Sequence, residues 1–108
     1  MIYSFPAEKF SIARRALMLP HPDGQHASLE TALTECRLGL HRMNRAKLPD
    51  DIRTGIHQLE CFMDTTGFVD ADGEGAWVHM LRSRSADDRA EVARLIDMLA
   101  QWFASQEP

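Results

Sequence analysis

The sequence predicts an all-α fold, a compact bundle of about five helices. Apolar residues recur every three or four positions, no five-residue stretch alternates as a half-buried strand does, and Pro and Gly separate the periodic segments. At 108 residues, 44% of them hydrophobic, the chain has the size of one domain. We therefore predict a single helical domain over residues 1–108, with helices at about 5–18, 28–46, 51–65, 72–83 and 86–104.

The first helix is predicted from its flanking residues and a short apolar stripe. Ser4 can cap its N-terminus, and Pro6 lies in the first turn, where a missing backbone N–H costs nothing. Pro20 ends the helix. The apolar stripe consists of Phe10, Ala13, Ala16 and Leu17. One face of this helix is therefore expected to pack on the core.

The second and third helices carry heptad-like stripes on either side of a proline. The earlier stripe begins behind a possible cap, Ser28, and consists of Leu29, Leu33, Cys36, Leu40, Met43 and Lys47. The later stripe consists of Ile52, Ile56, Leu59 and Met63. Leu48-Pro49-Asp50 is expected to end one helix and cap the next, and Gly67 to follow the third. We predict that these two helices pair as an antiparallel hairpin.

The fourth helix is short and the fifth is the most regular. The fourth follows an acidic stretch and holds Trp77, Met80 and Leu81. The fifth begins behind Ser85, which forms a capping box with Asp88. Its stripe consists of Val92, Leu95, Ile96, Leu99, Trp102 and Phe103. A stripe of this width indicates a helix that lies between two neighbours at the centre of the core.

The predicted hairpin places polar residues of two helices on one side. In an antiparallel pair centred on Leu48-Pro49, Arg37 lies opposite Glu60 and Asn44 opposite Arg53, with His41 and His57 beside them. The resulting polar ridge consists of Arg37, His41, Asn44, Arg53, His57 and Glu60. Two histidines near a carboxylate and guanidiniums suit acid–base chemistry or the binding of an anion. The alternative is a hairpin joined by an exposed Arg37–Glu60 ion pair worth less than about 1 kcal/mol.

Three carboxylates before the fourth helix resemble part of a calcium loop. Asp70, Asp72 and Glu74 occupy the first, third and fifth positions of such a loop, but its twelfth position is Leu81 instead of a bidentate carboxylate. Their favoured role is to cap the helix and complement its dipole. We predict no metal and no cofactor. Of the two cysteines, Cys36 is expected in the core and Cys61 against another helix, both as free thiols.

Charge and hydropathy narrow the classes of function. Residues 1–48 carry seven basic and four acidic side chains, whereas residues 49–108 carry five basic and twelve acidic side chains. The net charge of the chain is −4. Because binding to nucleic acid needs an excess of cations, a nucleic-acid partner is disfavoured, although the basic N-terminal half keeps it as an alternative. No uncharged run approaches the length of a membrane span, and the N-terminus has no signal-peptide pattern. We expect a cytoplasmic protein without membrane contact.

The favoured function is action through contacts with other proteins, as an adaptor, regulatory or oligomeric module. Phe62, Trp77 and Trp102 lie at the edges of their stripes, and large aromatic side chains are enriched at interface hot spots. A partner protein or self-association is therefore expected. The first alternative is a small enzyme or anionic-ligand binder that uses Arg37, His41, His57 and Glu60. Since no catalytic motif is present, we favour a protein that is not an enzyme.

Overall fold

Five α-helices make up most of the chain that the structure describes. The structure is a computed structural model that describes residues 3–18, 24–65 and 75–106. The helices are α1 (Ser4–Met18), α2 (Gln25–Leu40), α3 (Asp50–Phe62), α4 (Gly75–Ser83) and α5 (Ala86–Ser105). The prediction of a compact all-α bundle is confirmed, with no strand in these ranges. None of the helices described combines the length and the apolar character needed to cross a membrane.

The predicted stripes form the core. α1 packs most extensively on α2 and also on α5, α3 packs on α5, and α4 contacts α2. Each stripe contributes side chains that are completely shielded from solvent, among them Phe10, Leu33, Cys36, Ile56, Leu59, Val92, Leu99 and Phe103. The rings of Phe10 and Phe103 lie 5.3 Å apart and join α1 to α5. The expectation that α5 lies between two neighbours is confirmed.

The predicted α2–α3 hairpin is wrong. α2 does not pack on α3 in the way that it packs on α1, and the main neighbour of α3 is α5. The parts of both stripes that lie within α2 and α3 are nevertheless buried, including Leu40 at 4% and Ile52 at 2% exposure, whereas Met43 and Met63 are only partly buried and Lys47 is exposed. An apolar stripe can be buried against any complementary apolar face. The pattern therefore identifies the buried residues of a helix but does not identify its partner helix.

Two helix ranges also need correction. α2 covers residues 25–40 instead of 28–46, and α3 covers 50–62 instead of 51–65. Ser28 is not a cap but a buried residue inside α2, whose N-cap is Gly24 at φ 101°. Asp50 is the first residue of α3, behind Pro49. The helices predicted at 5–18 and 86–104 agree with α1 and α5 to within one residue, whereas residues 72–74 of the fourth lie outside the described ranges.

The α5 capping box is confirmed in both directions. The backbone N–H of Asp88 donates to Oγ of Ser85 at 3.1 Å, and the backbone N–H of Ser85 donates to the Asp88 carboxylate at 3.1 Å. These two bonds satisfy donors that a helix N-terminus otherwise leaves unpaired. The start of the central helix is thus fixed by the local sequence.

Two glycines lie where helices approach each other closely. A Cβ added at Gly39 of α2 would stand 2.9 Å from Cβ of Lys9 and 3.5 Å from Cα of Pro6, both in α1. A Cβ added at Gly55 of α3 would meet only the terminal methyl of Met98 at 2.5 Å, with Leu99 farther away. The first neighbour is tied to the α1 backbone, whereas the second is the free end of a flexible side chain.

The two glycines therefore predict opposite effects of alanine. Gly39→Ala should lower the free energy of unfolding by roughly 1 kcal/mol, because the added methyl forces α1 and α2 apart. Gly55→Ala should raise it by up to about 1 kcal/mol, since Met98 can move aside while the helix gains propensity. Denaturant unfolding measures both variants, each serving as the control for the other. An equal gain at both positions would contradict the close approach of α2 to α1.

Candidate functional site

The chain reverses direction immediately after α2. His41 adopts φ −64° and ψ 124°, and Arg42 follows at φ 59°. The backbone N–H of Met43 donates to the carbonyl of Leu40 at 3.3 Å. Together these values describe a type II turn, whose third residue needs a positive φ and is usually glycine. Here an arginine occupies that position, at a backbone cost of about 1–2 kcal/mol.

Two further turns return the chain to α3. The side-chain oxygen of Asn44 accepts a hydrogen bond from the backbone N–H of Ala46 at 2.9 Å, and the N–H of Leu48 donates to the carbonyl of Arg45 at 3.3 Å. An asparagine that bonds two residues ahead stabilises a turn in competition with a helix. The predicted pairing of Asn44 with Arg53 is therefore wrong. Arg53 instead pairs with Asp50 in its own helix.

These turns bring Arg45 to the carboxylate of Glu60 on α3. Its two terminal nitrogens donate to the two carboxylate oxygens at 2.7 and 2.9 Å, the bidentate geometry in which arginine binds carboxylates best. These hydrogen bonds raise the pKa of the Arg45 guanidinium. The sequence predicts that Glu60 pairs with Arg37. Glu60 does form an ion pair, but its partner is Arg45. Both side chains are 38% exposed, and solvent limits what the pair contributes to stability.

Arg37 instead packs on an aromatic ring. Its guanidinium carbon lies 4.6 Å from the ring centroid of Trp77, which connects α2 to α4. This distance is within the range of a cation–π contact. Arg37 also lies in the last turn of α2, where a cation complements the helix dipole.

A polar cleft lies between the end of α2, the turns that follow it and α3. Its volume is about 260 Å³, and its walls consist of Arg37, Leu40, His41, Arg42, Arg45, Glu60 and Met63. The lining residues thus include three arginines and a histidine but a single carboxylate, that of Glu60, which Arg45 binds. Among the residues described, Arg42 has no ion-pair partner. We call this site the arginine cleft.

The arginine cleft contains part of the predicted polar ridge. Arg37, His41 and Glu60 line it, whereas His57 does not. His57 is exposed on α3, and its Nε2 lies 3.9 Å from Sγ of Cys61 one helical turn later. Cys61 is exposed as well, in contrast to the expected packing against another helix. The two histidines that were predicted to work together therefore stand at different sites.

From the sequence, Arg42 and Arg45 are candidates only as cations of the basic N-terminal half that could bind nucleic acid, and their position beside Glu60 is not predicted. Both were placed within a continuous second helix, where neither would reach α3. Asn44 is the signal that could have located the end of α2, because asparagine favours turns over helix interiors. No comparable signal exists for Arg42, since arginine is a good helix former and is rare at positive φ.

The three aromatic residues predicted to bind a partner are half-buried and engaged within the chain. Phe62 lies under the guanidinium of Arg84 at 5.5 Å, and Trp77 lies under Arg37. Trp102 contacts the ring of Tyr3 edge-on, with centroids 5.4 Å apart. All three pack against the core. Their contacts within the fold account for these side chains without a partner.

The remaining candidate residues do not add a site. Asp70, Asp72 and Glu74 lie outside the described residues. Within the described ranges, no group of three or more His, Cys, Asp or Glu side chains is arranged to hold a metal ion. Cys36 lies in the core, as predicted, and burial, with a smaller contribution from the neighbouring Glu35 charge, raises the pKa of its thiol. That thiol stays protonated and unreactive at neutral pH.

Comparison with known proteins identifies no relative: no family model, no curated protein and no solved structure matches the chain. The geometry of the arginine cleft is therefore the basis for the functional proposal.

The turn at Arg42 predicts a stabilising substitution. Arg42→Gly should raise the free energy of unfolding by roughly 0.5–1 kcal/mol, because relief of the positive-φ cost exceeds the extra chain entropy of glycine. Arg42→Ala is the matched control, since it removes the same side chain and keeps the unfavourable backbone, and it should be nearly neutral. Denaturant unfolding measures both. A destabilising Arg42→Gly would mean that the arginine side chain supports the fold.

Proposed function

We propose that the protein binds a small ligand bearing a carboxylate or phosphate group in the arginine cleft. The observation that carries the proposal is the convergence of Arg37, Arg42 and Arg45 on one cleft with a single carboxylate. Guanidinium groups suit both anions, because their planar donors match two oxygens at once. This local excess of cations occurs in a chain whose net charge is −4.

The backbone at Arg42 supports the same interpretation. The turn would be more stable with glycine at this position, yet an exposed cationic side chain lines the cleft there, without an ion-pair partner among the described residues. Unfavourable backbone conformations are concentrated at functional sites, where the side chain offsets their cost by its role in binding. The helix dipole explains Arg37 but does not explain Arg42, which lies beyond the helix.

The size and composition of the cleft favour binding over catalysis. Its volume of about 260 Å³ is below the roughly 300–1,000 Å³ typical of sites for drug-sized ligands, which suits a small anion. His41 is in the cleft but His57 is not, so the pair of histidines that acid–base chemistry would use is not assembled. We therefore propose a binding protein instead of an enzyme.

Anion titrations followed by heteronuclear NMR test this proposal. Pyrophosphate and citrate, added to the full chain at about 50 mM salt, should shift the resonances of cleft residues first, because screening is weak at that ionic strength. Arg42→Gln should weaken binding about tenfold or more, the effect of losing one charge-assisted hydrogen bond. Pyrophosphate and citrate distinguish phosphate from carboxylate ligands.

Two matched variants sharpen this test. Arg15→Gln removes the same charge from an exposed site on α1 and should leave the affinity almost unchanged. Glu60→Gln should tighten binding several-fold, since it frees Arg45 from its bidentate partner and removes the cleft carboxylate. Equal weakening by Arg15→Gln and Arg42→Gln, or no cleft response to either anion, would disprove the proposal.

Contact with another protein is a second candidate function, and exposed apolar side chains favour it. Phe5, Leu38 and Met18 are 50%, 46% and 71% exposed. Phe5 and Leu38 are the sequence neighbours of Pro6 and Gly39, where α1 and α2 lie close together, so they offer apolar surface on adjacent helices. Binding to nucleic acid is less well supported, because Arg14 of the basic half pairs with Asp97 at 2.8 Å and the chain carries a net charge of −4.

Light scattering tests the self-association form of this candidate. A metal chelator is added so that metal ions cannot cause association. The average molecular mass should then increase with protein concentration, and Leu38→Ser should reduce the increase by removing exposed apolar surface. Arg15→Gln, which changes an exposed polar site, serves as the control. A constant monomer mass in wild type up to millimolar concentration would rule out self-association through these side chains.

A further inference from the structure

We propose that His57 and Cys61 form half of a tetrahedral zinc site, which a second copy of the chain completes with the same two residues. Both side chains are exposed on α3, and Nε2 of His57 lies 3.9 Å from Sγ of Cys61. They are four residues apart, so they stand on one face of the helix, one turn from each other. This site is separate from the arginine cleft and does not depend on the proposed anion function.

The distance between the two atoms matches what zinc requires. Zinc binds histidine nitrogen at about 2.0–2.1 Å and cysteine sulfur at about 2.3 Å, with tetrahedral angles, so the two donor atoms are separated by about 3.6 Å. The observed 3.9 Å differs by only a few tenths of an ångström. The two side chains can therefore chelate one ion with little movement. Thiolate and imidazole together select zinc over magnesium or calcium, which prefer oxygen.

A second copy supplies the ligands that one chain lacks. Within the described ranges, no third His, Cys, Asp or Glu joins the pair in an arrangement that could hold a metal. Structural zinc sites are closed by four protein ligands, and two Cys–His pairs give one of the common sets. A twofold axis through the ion would relate the two α3 helices, as in most homodimers.

The surface around the pair permits this approach. Thr54, His57, Gln58 and Cys61 follow the i, i+3, i+4, i+7 spacing of one helix face, and all four are exposed. None of the four is an Asp, Glu, Lys or Arg. Of the charged neighbours, Arg53 and Glu60 are paired with Asp50 and Arg45 within the chain, and the exposed carboxylates of Asp51 and Asp64 lie beyond the two ends of the face. The centre of the face, where the ligands lie, therefore brings no formally charged side chains of two copies together.

Binding is coupled to proton release. Zinc takes cysteine as the thiolate, so the S–H bond of Cys61 breaks, the Zn–S bond forms and the proton passes to solvent, with no change in oxidation state. Histidine binds through its neutral ring. Zinc-dependent association should therefore weaken as the pH falls, because protons compete with the metal for both ligands.

The test uses the full chain, freed of metal with a chelator and kept reduced. Added zinc should convert the 12.2 kDa chain to a species of twice that mass, complete at half an equivalent of zinc per chain. Replacing zinc with cobalt(II) should produce the visible absorption of a tetrahedral thiolate complex. Saturation at one zinc per chain without a change in mass would overturn the proposal.

Single substitutions assign the ligands. His57→Gln and Cys61→Ser should each abolish zinc-dependent association, and because both residues are exposed, circular dichroism should show an unchanged fold. His79→Gln, which alters another exposed histidine on α4, is the matched control and should retain the full response. Association that persists in Cys61→Ser, or a denaturing gel that shows a covalent dimer, would equally overturn the proposal.

Discussion

The end of α2 at Leu40 is the constraint on which the arginine cleft depends. A helix that continued to residue 46 would carry Arg45 along the axis of α2, at 1.5 Å per residue, away from Glu60. The type II turn reverses the chain instead and returns Leu48 to the core, where it is 4% exposed. Burial of a leucine contributes about 1.5–3 kcal/mol, which offsets the roughly 1–2 kcal/mol that Arg42 costs at positive φ. Burial of Leu48 in the core thus stabilises a turn that Arg42 disfavours.

The sequence was sufficient for the parts of the fold that depend on local chemistry. The Ser85 capping box, Pro6 in the first turn of α1 and the buried stripe from Val92 to Phe103 all follow from short-range rules. The end of α2 did not follow, because Met43 occupies the next heptad position and also contacts the core from the turn. A residue buried from a loop is indistinguishable, by spacing alone, from one buried on a helix.

The choice of partner helices could not be derived from the stripes. The hairpin prediction assumed that helices adjacent in the chain pack together, which is the common case. Here the close contact of Gly39 with Lys9 and Pro6 places α2 on α1, whereas α3 packs on α5 at Gly55 through the flexible end of Met98. Gly39 was the available signal for the α1–α2 contact, since a glycine inside a helix costs helix propensity unless a neighbour needs the space. The candidate site could be predicted only in part. Arg37, His41 and Glu60 line one cleft as predicted, but the turns after α2 bring them together and a pair of packed helices does not.

The Arg45–Glu60 pair also determines what kind of anion the cleft can take under the proposed function. The carboxylate of Glu60 is held beside Arg45 by the fold, so its effective concentration there exceeds that of a free ligand. A singly charged ligand that binds Arg45 must displace this partner and leaves Glu60 unpaired beside it. A ligand that binds Arg42 avoids that competition, because this guanidinium has no partner among the described residues. We therefore propose selectivity for anions with two separated charged groups. One group binds Arg42, and this raises the effective concentration of the other group near Arg45, where it competes with Glu60.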